Sequence, residues 1–414
     1  MKKATVILFF IWPFIFSALN VQVLISKFVS VPLSQVFAYG NVLLLIIGIF
    51  TQLKQPGTYS KTATMWFVFY ISYYVFGLIA TAYHGVSSPI MRTLIPVVYF
   101  AAFYFFFKQE ENQKFFAKVL MYTFLISSIF TILMFKKNFD IDYGGVHIYK
   151  LDRAGGLYGD ANNAALVCIL SFLLIKQFFV AKTRRMKLFK YFLYGVVFYS
   201  LVLTFSTTGL SVFIITFVLS NQKFFNKQRL FLLAGLGVVG FILILNLKTL
   251  TADMPLTTNQ RYKIENLVNV VTLSTDEVDN SGRGELLSNL LETIYENPFL
   301  GNGIDHSVVM RGHNTYMGIW ADAGLITFII FCFILISFFV KSLKLKGDDR
   351  SFCLSTLIVF YIFMLSLQTI LNQPYLIIIF VFLAYLIDGH KKVAEIRNLP
   401  VRESNLANKK YQSV

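Results

Sequence analysis

Long apolar stretches alternate with short polar joints along almost the whole chain. Twelve runs, most of them close to the roughly 20 residues that carry a helix across a bilayer core, lie near residues 4–26, 33–51, 64–82, 89–107, 115–135, 157–180, 189–205, 207–220, 230–248, 314–340, 352–371 and 374–388. Ser206 alone separates the seventh from the eighth. The pattern predicts an all-α polytopic membrane protein of about 12 transmembrane helices, a single integral membrane domain over residues 1–414. Residues 249–312 form one large loop between spans nine and ten, and residues 389–414 a polar tail. Short loops join the first five spans, whose aromatic-rich surfaces read as lipid-facing scaffold.

Inside the large loop the periodicity changes. Leu286, Leu287, Leu290, Leu291 and Ile294 fall on one helical face, and Glu285, Ser288, Asn289, Glu292 and Glu296 on the other. This spacing predicts a short amphipathic helix ended by Asn297 and Pro298. Arg283 stands in its first turn, where a cation opposes the helix dipole, so an anionic ligand accounts for it better than local stability does. Beyond Gly301 and Gly303, His313 and Asn314 mark the mouth of the tenth run, which carries one acid, Asp322.

Composition agrees with the pattern: of 414 residues 56% are hydrophobic and only 14% charged, which excludes an ordinary soluble globule. The formal charge of +16 has a topological cause. With the N-terminus inside, every inner loop is basic, from Lys54 and Lys61 through the run Lys182 to Lys190 and on to the tail, as the positive-inside rule requires. The N-terminal run after Lys2 and Lys3 has no convincing cleavage site after it and reads as an uncleaved first span. Nucleic acid is excluded as a partner, because the basic residues are spread over loops rather than gathered in one patch. Cys168, Cys332 and Cys353 lie in separate spans without metal-ligand spacing.

Candidate chemistry gathers on the outer side. The loop 136–156 leads through RAGGLYGDANNAAL into the sixth span; Asp160, Asn162 and Asn163 suit a helix cap, while Arg153 beside free helix-end N–H groups suits an anion site. Ser206, Thr207, Thr208 and Gly209 make either a tight outer turn or a re-entrant kink. Arg92, just inside the fourth span, fits a snorkelling anchor or a ligand contact. An imidazole such as His313 takes a proton from a hydroxyl near neutral pH, and arginine forks hold a pyrophosphate bidentately.

Four stretches carry a family likeness: RAGGLYGDANNAA at 153–165, STTG at 206–209, GRGELLSNLLETIYENPFLGNG at 282–303 and HNTYMGIWADAG at 313–324. In order, spacing and topology they resemble the O-antigen ligase superfamily, which includes the lipopolysaccharide O-antigen ligases and the O-antigen and exopolysaccharide polymerases. The resemblance implies a GT-C-like, metal-independent, inverting glycosyltransferase of the bacterial inner membrane, with both termini cytoplasmic, its site facing the periplasm, and no cofactor. It implies a glycan donor on undecaprenyl pyrophosphate and an acceptor hydroxyl on a lipid A core sugar or on another lipid-linked repeat unit, with membrane lipids and a chain-length regulator as further partners. Arg283 then contacts the donor diphosphate, His313 serves as base or orients the acceptor, Arg153 and Asn162 form a polar pair beside the cavity, and Asp322 stands in for a commoner glutamate. Asn314 adjoins the base. Many ligases have an arginine where this chain has Thr207, a departure toward the polymerases. A lipid-linked glycan transporter is the competing class, but it would favour internal repeats and midplane charges, and the sequence has neither.

Overall fold

A computed structural model describes residues 3–84, 90–221, 242, 245–272, 274, 282–368 and 370–398. Helix α1 (Lys3–Ala18) bends by 65° into α2 (Val21–Phe28) at Asn20, whose φ is 51°. Next come α3 (Val31–Leu53), α4 (Lys61–His84), α5 (Ile90–Phe106) and α6 (Glu110–Lys136), then a two-stranded antiparallel ribbon, β1 (Phe139–Asp140) with β2 (Gly145–Val146). Helices α7 (Ala161–Phe178), α8 (Arg184–Leu203) and α9 (Thr207–Ser220) follow. The remaining long elements are α10 (Thr258–Val271), α11 (Arg283–Glu296), α12 (His306–Met310), α13 (Thr315–Leu343), α14 (Gly347–Phe363) and α15 (Pro374–Asn398).

Polar residues at the joints set where these helices start. Side chains of Ser30, Asp160, Thr183, Ser206 and Asn314 accept the N–H of Leu33, Asn163, Met186, Gly209 and Met317 respectively, each satisfying a donor that the first helical turn leaves open. Among the described residues six helices, α3, α4, α6, α7, α8 and α13, are long and apolar enough to cross a bilayer, and the bent α1–α2 pair makes a seventh if it counts as one span. Thr93–Phe106, Thr207–Ser220 and Pro374–Gly389 are shorter apolar helices. The expected run at 230–248 falls almost wholly outside the described residues. Helix α15 continues through residue 398, into the segment that the sequence reads as tail.

Helix α7 is the hub. Most of its length is buried inside the protein, in contrast to α3 and α8, whose spans are 22% buried and keep most of their apolar surface for lipid. An apolar all-round helix belongs at the centre of a bundle, and α15, buried from Leu376 to Tyr385, occupies the same interior. The aromatic residues of the early spans correct the sequence reading in part: Trp12, Tyr39, Phe50 and Phe130 are exposed as expected, but others turn inward. Phe10, Phe14, Phe100, Phe103, Phe106, Phe107 and Phe116 are each 0% exposed and form a chain of ring contacts, Phe10 over Phe106 at 4.5 Å and Phe14 edge-on to Phe116 at 4.7 Å among them. In lipid there is no hydrophobic drive to separate rings from the bilayer, so aromatic packing and shape decide which face turns inward. Apolar periodicity carries no such information.

Candidate functional site

Helix α13 and the loop before it build most of the candidate site. Its regular backbone stops at Ala323 (φ −131°, ψ 16°) and Gly324 (φ 75°, ψ 178°). The groups freed by the break are taken up by the stretch PFLGNG: the Ala321 carbonyl accepts from Asn302 N–H at 2.7 Å, the Asp322 carbonyl from Gly303 N–H at 3.0 Å, and Leu325 N–H donates to the Pro298 carbonyl at 3.0 Å. A Cβ on Gly324 would overlap the Phe299 carbonyl oxygen, so both the left-handed φ and the close approach call for glycine. Two neighbouring motifs, 282–303 and 313–324, are thereby joined backbone to backbone.

The amphipathic helix is present as α11, with Arg283 as its first residue. Leu290 and Ile294 are buried with Ala321, against Met310, Met317 and Trp320, and Trp320 Nε1 donates to the Pro298 carbonyl at 2.8 Å. Leu290 also lies against Gly312. The side chains of Arg283 and Arg92 lie outside the described ones; Thr93, the residue after Arg92, lines the site cavity described next.

Two polar groups result. In the first, Asp322, 4% exposed, accepts Tyr73 O–H on Oδ2 at 2.8 Å and Ser307 N–H on Oδ1 at 2.7 Å. His313 has a left-handed φ of 47°, and its N–H donates to Gln368 Oε1 at 3.2 Å. Asn314 Oδ1 caps α13 by accepting Met317 N–H at 3.1 Å, and Thr315 N–H donates to the Met364 carbonyl at 2.7 Å. The turn after α14 therefore clamps the segment that carries His313. Tyr73, Asp305, Asp322 and Gln368 share a cavity of about 40 Å³, enough for a few small polar atoms and too small for a sugar ring. On the far side of Ser307, burial and the nearby His84 hold the His306 imidazole below its ordinary pKa of 6.5.

The second group joins Arg153 and Asn162 to the STTG turn. Arg153 Nε donates to the Thr204 carbonyl at 3.0 Å and its Nη2 to Asn162 Oδ1 at 3.2 Å, while Ser206 Oγ donates to the same Oδ1 at 2.8 Å. Of the three residues suited to capping α7, Asp160 performs it, accepting Asn163 N–H at 2.8 Å. Asn162, 4% exposed, is released to tie α7 to the α8–α9 turn. At the STTG stretch the chain turns tightly, with Ser206 as cap of α9.

Sequence reasoning brought out His313, Asn314, Asp322, Arg153 and Asn162, which the fold gathers into these two groups, and missed Tyr73, Ser307 and Gln368. Tyr73 is one tyrosine among several in an apolar run, and only its contact with Asp322 distinguishes it. Gln368 is one of several polar residues, with Ser366, Thr369, Asn372 and Gln373, in the joint before the last run, and only its bond to the His313 N–H singles it out.

A search of curated proteins finds no match to the chain. Residues 191–332 match the family model described as O-antigen ligase. The match begins after the Arg153 motif and takes in the STTG turn, α11, His313 and Asp322. Over this segment, about a third of its length, the chain is similar to the O-antigen ligase family, which supports the likeness read from its motifs.

Proposed function

We propose that the protein is a membrane glycosyltransferase of bacterial surface-polysaccharide assembly that moves a glycan from undecaprenyl pyrophosphate to a sugar hydroxyl, in the ligase manner, with a lipid A core as acceptor. The observation that carries the reading is the docking of PFLGNG onto the break in α13. It puts the helix that Arg283 opens against the same end of α13 as His313 and Asp322. From Leu290, which touches Gly312, Arg283 lies seven residues back, about 10 Å along the helix axis. That offset leaves room for the diphosphate between Arg283 and the anomeric carbon, which the acceptor hydroxyl attacks from the opposite face.

In this reading Arg283 holds the diphosphate with its planar fork. His313 takes the proton of the acceptor hydroxyl as that oxygen bonds to the anomeric carbon, and the bond from this carbon to the phosphate oxygen breaks with inversion. The pyrophosphate leaves as an anion on Arg283, so anion stabilisation, positioning and one base suffice without a metal or cofactor. Asp322 fixes Ser307 and Tyr73 around the His313 segment, and Arg153 with Asn162 lines the same outer face.

Polymerisation of lipid-linked repeat units is the second reading, favoured by Thr207 where an arginine marks many ligases. A transporter is favoured by one feature, the broken helix α13, since broken helices hold ions in such proteins. Here, however, the freed carbonyls of Ala321 and Asp322 are taken by Asn302 and Gly303, which leaves them unsuited to coordinate cargo. Lipopolysaccharide from a deletion strain tests the acceptor. Bare lipid A core, with long polymer retained on the carrier lipid, is the expected result; a core capped by a single repeat unit would replace the ligase reading with the polymerase one.

A further inference from the structure

The joint between α14 and α15 is tied to the start of α13 at three points. Thr315 N–H donates to the Met364 carbonyl at 2.7 Å, Thr315 Oγ1 donates to the Leu367 carbonyl, and His313 N–H donates to Gln368 Oε1 at 3.2 Å. The last bond fixes which way the Gln368 amide points. A backbone N–H can only donate, so the amide oxygen faces His313 and the amide nitrogen is turned elsewhere. That nitrogen, Nε2, is buried and has no hydrogen-bond partner among the described residues. A buried donor without an acceptor is costly, and where a folded protein keeps one, a water, an ion or a functional role accounts for it.

Gln368 lines the small cavity that also holds Tyr73, Asp305 and Asp322. Another lining residue, Val308, is 38% exposed, so the cavity lies at the surface rather than sealed in the core. Its chemistry selects what can enter. Two carboxylates repel a phosphate. An ammonium would suit them but has no lone pair to accept the Nε2 proton. A neutral hydroxyl does both: it accepts from Gln368 Nε2 and donates to Asp322, whose carboxylate has acceptor capacity beyond Tyr73 O–H and Ser307 N–H. Orientation identifies the side. Thr315, Gly318, Ile319 and Asp322, which line the cavity, recur at helical spacing on one face of α13, and Met317, Trp320 and Ala321, which hold α11, lie on the opposite face. The cavity is therefore turned away from the helix that Arg283 opens.

We propose that Gln368 is an acceptor-binding residue: a hydroxyl of the acceptor sugar, other than the attacking one, enters this cavity, accepts from Gln368 Nε2 and donates to Asp322. One side chain then holds the acceptor with its nitrogen and the His313 backbone with its oxygen. The attacking hydroxyl is thereby set relative to His313, whose left-handed φ of 47° the same amide supports. An acceptor that offers an ammonium at this point, or no hydroxyl, is bound less well. This assignment rests on the transferase reading above.

The experiment is steady-state transfer by the full chain in vesicles, per molecule of inserted enzyme, with lipid A core as the varied acceptor, or a lipid-linked repeat unit where the core is not used. Gln368→Glu keeps the side-chain length and the oxygen that His313 N–H needs, but replaces the donor with a second acceptor. At about pH 8, where the new carboxyl is ionised, the KM for acceptor should rise about three- to tenfold. Its kcat should stay within about twofold, and the donor KM should not move. Gln368→Met removes both prongs, so kcat should fall as well. Val308→Phe narrows the cavity from an exposed position, should raise the acceptor KM alone, and serves if the Gln368 variants do not insert. An unchanged acceptor KM in Gln368→Glu and Val308→Phe, beside an active unmodified chain, overturns this proposal alone and leaves a buried water as the partner of Nε2. A fall in kcat and melting temperature at constant acceptor KM overturns it too, as a purely structural role. No transfer by the unmodified chain removes the transferase reading and this assignment with it.

Discussion

A carboxylate 4% exposed where a membrane helix begins is stable only if its oxygens are supplied with donors, and Asp322 has Tyr73 O–H and Ser307 N–H. Asp322→Ala would leave both donors without their acceptor, a loss of about 1–3 kcal/mol each where they stay buried. Asp322→Asn keeps one acceptor oxygen. Thermal unfolding in detergent should therefore rank the unmodified chain first, Asp322→Asn second and Asp322→Ala last; an alanine variant as stable as the asparagine one would contradict the network. At this scale only half of the network is legible in the sequence. Asp322 was visible as the one acid in an apolar run, and Asn162 as a polar residue at a helix start. The capping site next to it went to Asp160, because Asn162 is drawn off by Arg153 and Ser206, partners 9 and 44 residues away that no local rule anticipates.

Among the elements, α11 is the one most completely legible in the sequence. Its start at Arg283, its end before Asn297 and its buried face at Leu290 and Ile294 all follow from 3.6-residue periodicity and end signals. The break in α13 was not legible. GIWADAGLITF reads as an unbroken apolar helix, since Ala and a lone Gly do not announce a left-handed φ; the break exists because Pro298 to Gly303 supplies hydrogen bonds to it. Gly324→Ala should consequently destabilise, by about 1–3 kcal/mol for the backbone strain alone. Gly40 in α3 is the control, as a Cβ there meets nothing within 4 Å. Gly40→Ala should gain up to about 1 kcal/mol from helix propensity. Melting temperatures moving in the same direction for the two variants would show that the break is not held by the glycine.

On the scale of the whole molecule, hydropathy located the helices well because a helix is the only way to satisfy a single chain's backbone in lipid without a barrel. It did not say which helices go to the centre. The buried α7 and α15 and the lipid-facing α3 and α8 have similar apolar runs, and the difference lies in side-chain shape and in polar ties such as Asp388 to Ser60 and Thr62, which anchors α15 to α4. The charge bias of the loops makes a separate claim about sidedness. Reporter fusions at residue 280 should be active in the periplasm, and those at 225 and 400 in the cytoplasm; a cytoplasmic signal at 280 would put the site on the wrong face. The central claim is chemical, and one measurement meets it directly. Protein reconstituted in vesicles with a glycan on undecaprenyl pyrophosphate and an acceptor is assayed for new glycosidic bonds per molecule of inserted enzyme. His313→Ala should lose about 10²- to 10⁴-fold, the usual worth of a general base, and Arg283→Lys should fail nearly as badly as Arg283→Ala, since lysine lacks the planar fork. Near-normal activity per molecule in the His313 and Arg283 variants would contradict the site.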